Sequence, residues 1–174
     1  MVASFSILGD FVRNVGGDRV SVTTLVGPDG DAHVYTPTPA DAKRIADAKL
    51  VIVNGLDFEG WLSRLVKSSG KKPTIATATR GIAPRKLGSH ADPHAWQSVA
   101  NAKIYVTNIR DALAAADPAG TGTYRGNAQT YLETLDALDR DIRAAVAQIP
   151  QDRRKVISTH DAFGYLASAY GIEF

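Results

Sequence analysis

Three histidines sit beside turn-forming residues at widely separated places in the chain. They are His33 in Asp31-Ala32-His33-Val34-Tyr35-Thr36-Pro37, His94 in Asp92-Pro93-His94-Ala95-Trp96, and His160 in Ser158-Thr159-His160-Asp161-Ala162-Phe163-Gly164-Tyr165. The chain has only four histidines and no cysteine, so three of its four imidazoles fall at element boundaries. Neutral imidazole is the common protein ligand for zinc and its first-row neighbours, and without thiols a metal here would be held by nitrogen and oxygen. A single loop histidine is more often a surface or capping residue, and the separations of more than sixty residues match no local zinc motif. Convergence in space is therefore the point on which a metal site depends. His90, in Gly88-Ser89-His90, reads as a bystander.

Other chemistry-bearing groups carry less. Gly27-Pro28-Asp29-Gly30 lacks the lysine ending and glycine spacing of a phosphate loop. Asp57 and Glu59 form a carboxylate pair, but Glu59 near a helix start reads more simply as complementing the helix dipole. Ser158, Thr159, His160 and Asp161 place hydroxyl, imidazole and carboxylate side by side, although adjacent residues rarely face one substrate. Trp61 and Trp96 read as packing residues, with Trp96 a candidate wall of the histidine site.

The elements that must position these residues alternate between strand and helix. Val2-Ala3-Ser4 opens a strand; Ile7, Leu8, Phe11, Val12 and Val15 follow at helical spacing until Gly16-Gly17. Val20 to Val26 reads as a strand closed by the Gly-Pro-Asp-Gly turn. Thr38 is a good N-cap with Pro39 at the first helical position. Leu50-Val51-Ile52-Val53 is a wholly apolar run, as a central parallel strand requires. A helix from about Glu59 to Lys67 and a strand near Pro73 to Ala78 come next. This pattern predicts an α/β fold with a parallel sheet flanked by helices, whose ligand site lies beyond the carboxyl ends of the strands. After Trp96 comes a helix over Ala100 to Ala116. From Tyr124 apolar residues step by four and three to about Gln148, a single helix of roughly 37 Å at 1.5 Å per residue. Arg154 to Thr159 reads as a new strand and Asp161 to Tyr170 as a new helix.

Bulk properties bound the function. The 174 residues suffice for a real core, and a net charge of +2 with mixed signs supplies no basic stripe for nucleic acid. No apolar run approaches the ~20 residues that span a bilayer. No signal peptide precedes the first strand, which fits a cytoplasmic protein or a mature exported one.

Four stretches together resemble a known family: Asp31–Pro37, Val53-Asn54-Gly55-Leu56-Asp57-Phe58-Glu59-Gly60-Trp61-Leu62, Asp92–Trp96 and Thr159–Tyr165. They are similar, in the same order, to the zinc- and manganese-binding solute receptors of ABC importers, the cluster A-I (cluster 9) class. That resemblance implies two α/β lobes joined by one long rigid helix, with the metal in the cleft between them. It places an N-terminal metal-binding lobe at residues 1–122, the linking helix at 123–149, and the beginning of an incomplete C-terminal lobe at 150–174. It makes His33, His94 and His160 the first three metal ligands, and puts the fourth, a carboxylate, later than any residue present. It implies a periplasmic, non-enzymatic receptor that delivers its metal to a membrane permease.

A histidine at the third position tilts the expected cargo toward Zn²⁺ over Mn²⁺. The alternatives are a zinc hydrolase with water in the fourth position, or an adhesin or metal chaperone on the same scaffold. If the second lobe stops short, the apolar face of Phe163, Leu166, Ala167 and Tyr170 lacks partners, and self-association is expected.

Overall fold

A computed structural model describes all residues, 1–174. A four-stranded parallel sheet is built from β1 (Val2–Phe5), β2 (Thr23–Val26), β3 (Leu50–Val53) and β4 (Thr74–Thr77), in the order β2-β1-β3-β4. Every residue of β1 and β3 is buried, because both strands are central and have both faces covered. The edge strands β2 and β4 carry threonines and are partly open. Strand order reverses between β1 and β3. The loops leaving the carboxyl ends on either side of that point diverge and leave a crevice.

Helices α1 (Ser6–Gly16), α2 (Pro39–Asp47) and α3 (Leu62–Ser68) connect the strands. Gly17, at φ +53°, ends α1 in a conformation that L side chains rarely adopt. Thr38 caps α2 as expected, and a reciprocal bond from its backbone to the Asp41 side chain completes a capping box. The expected helix from Glu59 starts later, at Leu62, because residues 54–60 form a tight loop around the Glu59 carboxylate. The expected strand from Val20 likewise begins only at Thr23; Asp18 and Arg19 are taken up in a short 3-10 turn that ends α1.

A two-stranded antiparallel hairpin, β5 (Lys86–Leu87) and β6 (His90–Ala91), precedes the His94 loop. Then α4 (Val99–Ala116) lies against α1, and the 27-residue α5 (Thr121–Ala147) packs along both, about 40 Å long at 1.5 Å per residue. Tyr124, Ala128 and Leu135 bury its inner face. The first half of the long helix is thus part of the hydrophobic core.

Two expectations for the last segment need correction. The strand predicted over Arg154 to Thr159 reduces to one parallel bridge, Lys155 with Glu173, and Ile157 stands fully open. A strand needs a partner along its whole length, and here only residues 172–174 run beside it. The face of Phe163, Leu166, Ala167 and Tyr170, expected to be bare, is largely covered. In α6 (Gly164–Tyr170), Tyr165 and Tyr170 are buried, Leu166 packs on the core, and Phe163 stacks on Phe174 at 5.0 Å. Tyr170 donates to Asp139 of α5 at 2.8 Å under the Arg143 guanidinium. Part of the apolar drive expected for self-association through this face is therefore met within the chain.

Candidate metal centre

The three histidines converge. One nitrogen from each of His33, His94 and His160 lies within 4.8 Å of the others, and no fourth histidine or carboxylate joins the group. His33 arrives on the loop after β2, His94 on the loop after the hairpin, and His160 on the turn before α6. The Nε2 atoms of His33 and His94 are 3.0 Å apart. Two nitrogens bound to one tetrahedral zinc at ~2.0 Å would stand about 3.3 Å apart, so this pair is nearly at ligand spacing. His90 stays on the exposed hairpin, outside the group.

His33 and His94 are held by the same local device. In Asp31-Ala32-His33 and Asp92-Pro93-His94 the aspartate Oδ1 accepts the histidine backbone N–H, at 2.8 and 3.0 Å. This repeated Asp-x-His spacing was a legible signal that the residue-by-residue reading missed. Asp92 goes further: its Oδ1 also accepts from Nδ1 of His94 at 2.9 Å, inside a pocket where both side chains are almost fully buried. A proton held on Nδ1 leaves the Nε2 lone pair facing the cleft, which is the form a metal needs.

Deeper contacts fix the loops themselves. Trp61, expected only to pack, donates its indole N–H to the carbonyl of Ala32 at 2.7 Å and so pins the residue before His33. Asn54, at the carboxyl end of β3, donates to the carbonyl of Pro93 at 2.9 Å, the residue before His94, and accepts from the Tyr105 hydroxyl. Glu59 in turn holds Asn54: its carboxylate accepts from the backbone N–H groups of Asn54 and Gly55 and from Ser4, at 2.6, 3.1 and 2.5 Å. Glu59 is buried, Asp57 is exposed and neither lines the cleft, which removes the paired-carboxylate reading. Burial pushes the Glu59 carboxyl above its ordinary value, against the pull of its donors. Gly55 permits the loop: at φ +84° a Cβ would meet Thr77 Cγ2 at 2.6 Å.

The cleft over the histidines holds about 410 Å³ and is walled by Phe5, Phe58 and Trp96. Trp96 lies 5.4 Å from the His94 ring, so its expected place at the site is observed. His94 is buried at the floor, and His160 is exposed at the mouth. Burial and the neighbouring His94 lower the pKa of His33, and Asp31 only partly opposes them. That shift favours the neutral imidazole.

This architecture is shared with the periplasmic metal-binding proteins. The chain superposes on the Mn-bound periplasmic metal binding protein of Candidatus Liberibacter asiaticus with a TM-score of 0.88 at 36% identity, covering 99% of this chain and 66% of that one. It belongs to the family described as zinc-uptake complex component A, periplasmic (ZnuA), which it matches over residues 1–174. It is 38% identical to the iron-binding protein YfeA of Yersinia pestis, over 99% of this chain and 57% of that protein. It is 32% identical to the manganese ABC transporter substrate-binding lipoprotein PsaA of Streptococcus pneumoniae, over 99% of this chain and 59% of that protein. The chain thus spans under three fifths of the length of these curated relatives.

Proposed function

We propose that the chain supplies the metal-holding part of a receptor that binds a divalent transition-metal ion, zinc, and presents it to the permease of an ABC importer. His33, His94 and His160 are the ligands, each through a neutral nitrogen. Residues 1–122 are the N-terminal lobe, 123–149 the linking helix, and 150–174 the opening of the second lobe. The receptor works outside the cytoplasm, in keeping with relatives named as periplasmic or as lipoproteins. No helix of this chain is long and apolar enough to cross a membrane.

The observation that carries the reading is the convergence of three imidazoles from three distant loops on one small volume. Bringing neutral nitrogens together without a shared ion leaves lone pairs facing one another, and a cation removes that cost. Relatives carry names for iron and manganese, and the family is named for zinc. An all-imidazole set from this chain favours zinc, since softer nitrogen donors suit it better than manganese. The reading is of a carrier rather than a catalyst, in keeping with a relative named as a substrate-binding lipoprotein of an ABC transporter.

Calorimetric titration with Zn²⁺ of the parent and of His33→Ala, His94→Ala and His160→Ala tests the site. Each substitution is expected to weaken binding at least tenfold; unchanged affinity in all three would remove the site. Affinity alone does not identify the cargo, because zinc outcompetes manganese at most nitrogen sites. Elemental analysis of the protein isolated from its native host decides that point. Manganese there would overturn zinc as cargo.

A further inference from the structure

The hairpin that leads into His94 has a break in its ladder. Arg85 and Asp92 are the next pair below Lys86–Ala91, and the Asp92 N–H donates to the Arg85 carbonyl at 2.8 Å. The reciprocal bond, from the Arg85 N–H to the Asp92 carbonyl, is what an antiparallel pair would make. It is not made. The Tyr165 hydroxyl stands between the two groups, accepting from the Arg85 N–H at 2.9 Å and donating to the Asp92 carbonyl at 3.0 Å. A phenol from α6 is thus spliced into the base of a hairpin 73 residues earlier in the chain.

Neighbouring contacts serve the same junction. Arg85 donates to Ser168 of α6 at 2.6 Å, and its guanidinium lies 5.8 Å from the Tyr165 ring centre. Gly164 lets the segments approach: a Cβ there would meet the Arg85 guanidinium at 2.9 Å and Asp92 Oδ2 at 3.1 Å. Five residues before the phenol, His160 sits on a turn held by Ser158, whose hydroxyl accepts from the His160 N–H and donates to its carbonyl, and by the Ala162 N–H, which donates to the same carbonyl at 2.9 Å. No hydrogen bond ties the exposed stretch 157–161 to another element. His160 is nonetheless 5.0 Å from the His94 ring, centre to centre.

We propose that Tyr165 is a positioning residue for the third ligand, its hydroxyl completing the hairpin ladder and thereby holding His160 over the His33–His94 pair. Asp92 is the hinge of the device: its side chain orients His94, and its carbonyl receives the phenol that places His160. Ligands from the two segments are then set against one shared residue rather than independently. This rests on the metal-receptor reading above.

Two readouts test it on the full chain. In the metal-free protein, nuclear Overhauser contacts between the His94 and His160 ring protons are expected in the parent and lost in Tyr165→Phe, with far-UV circular dichroism unchanged. Their persistence in that variant overturns the proposal whether or not metal binds. With Zn²⁺, Tyr165→Phe is expected to weaken affinity about ten- to a hundredfold, the usual effect of removing a group that orients a ligand. In a His160→Ala background the same change is expected to have little effect, because its target is gone. An equal loss in both backgrounds would show a general structural role and refute positioning. Gly164→Ala, which leaves the phenol in place but displaces Arg85 and Asp92, is expected to mimic Tyr165→Phe; parent-like affinity and ring contacts there would count against it. Absence of zinc binding in the parent would instead overturn the receptor reading, with the ring contacts still deciding this one.

Discussion

Replacing Glu59 by glutamine tests the support beneath the site without touching a ligand. The carboxyl Oε1 accepts from Asn54 N at 2.6 Å and Ser4 Oγ at 2.5 Å, and Oε2 accepts from Gly55 N at 3.1 Å. Two of the three donors are backbone N–H groups, which cannot reverse roles. A glutamine must place its NH₂ against one of them in either orientation, leaving a buried N–H without a partner. One such group costs ~1–3 kcal/mol, and a chain of this size loses about 2–4 °C in Tm per kcal/mol, so a drop of about 6 °C is expected.

The pH dependence gives the sign. Because burial raises the Glu59 pKa above its ordinary 4.5, the folded state holds a proton that the unfolded chain has released. The stability this contributes is present in full below pH 4.5 and is lost as pH rises through the folded value. The neutral acid can donate to Ser4 while both oxygens still accept from the backbone, and an amide cannot. The gap between parent and Glu59→Gln should therefore be widest in acid and narrow toward neutrality. Thermal unfolding by circular dichroism from pH 4 to 8 measures it. A variant as stable as the parent throughout, or a gap that widens with pH, would refute the reasoning.

Two further outcomes follow from the site. Trp61→Phe keeps the packing but removes the bond to the Ala32 carbonyl, at a cost of ~1 kcal/mol in urea unfolding, and should weaken zinc binding several-fold by loosening the His33 loop; parent-like zinc affinity would show that the bond does not position His33. The His33 ring should titrate below 6.5 in the metal-free protein, because burial and His94 lower its pKa. The unfolded chain then takes up this proton first as pH falls, so His33 costs stability below pH 6.5. A nuclear magnetic resonance midpoint above 6.5 would contradict that.

Much of this was legible along the chain. The apolar run of β3, the Thr38-Pro39 start of α2 and the four-three stepping of α5 record burial and capping that act within a few residues, so local sequence carries them. The histidines were visible as candidates by residue type and neighbours. Their meeting was not, because convergence across more than sixty residues depends on strand order, and no local pattern encodes that the β2 loop and the hairpin loop face one crevice. The same limit hid the supports. Glu59 looked like a helix-start acid and Trp61 like packing, while Tyr165 stood out only as the last residue of the Thr159–Tyr165 stretch. Trp61 and Tyr165 act through hydrogen bonds to backbone distant in sequence, and Glu59 through three that tie the loop after β3 to Ser4 of β1. The strand over 154–159 failed for the converse reason: its residues have β character, but a strand exists only where a neighbour satisfies its backbone, and only Glu173 does so here. Sequence alone determined the helices and the central strands, and which side chains can bind a metal. Tertiary structure decided which of those side chains share a volume, because that depends on packing between elements far apart in the chain.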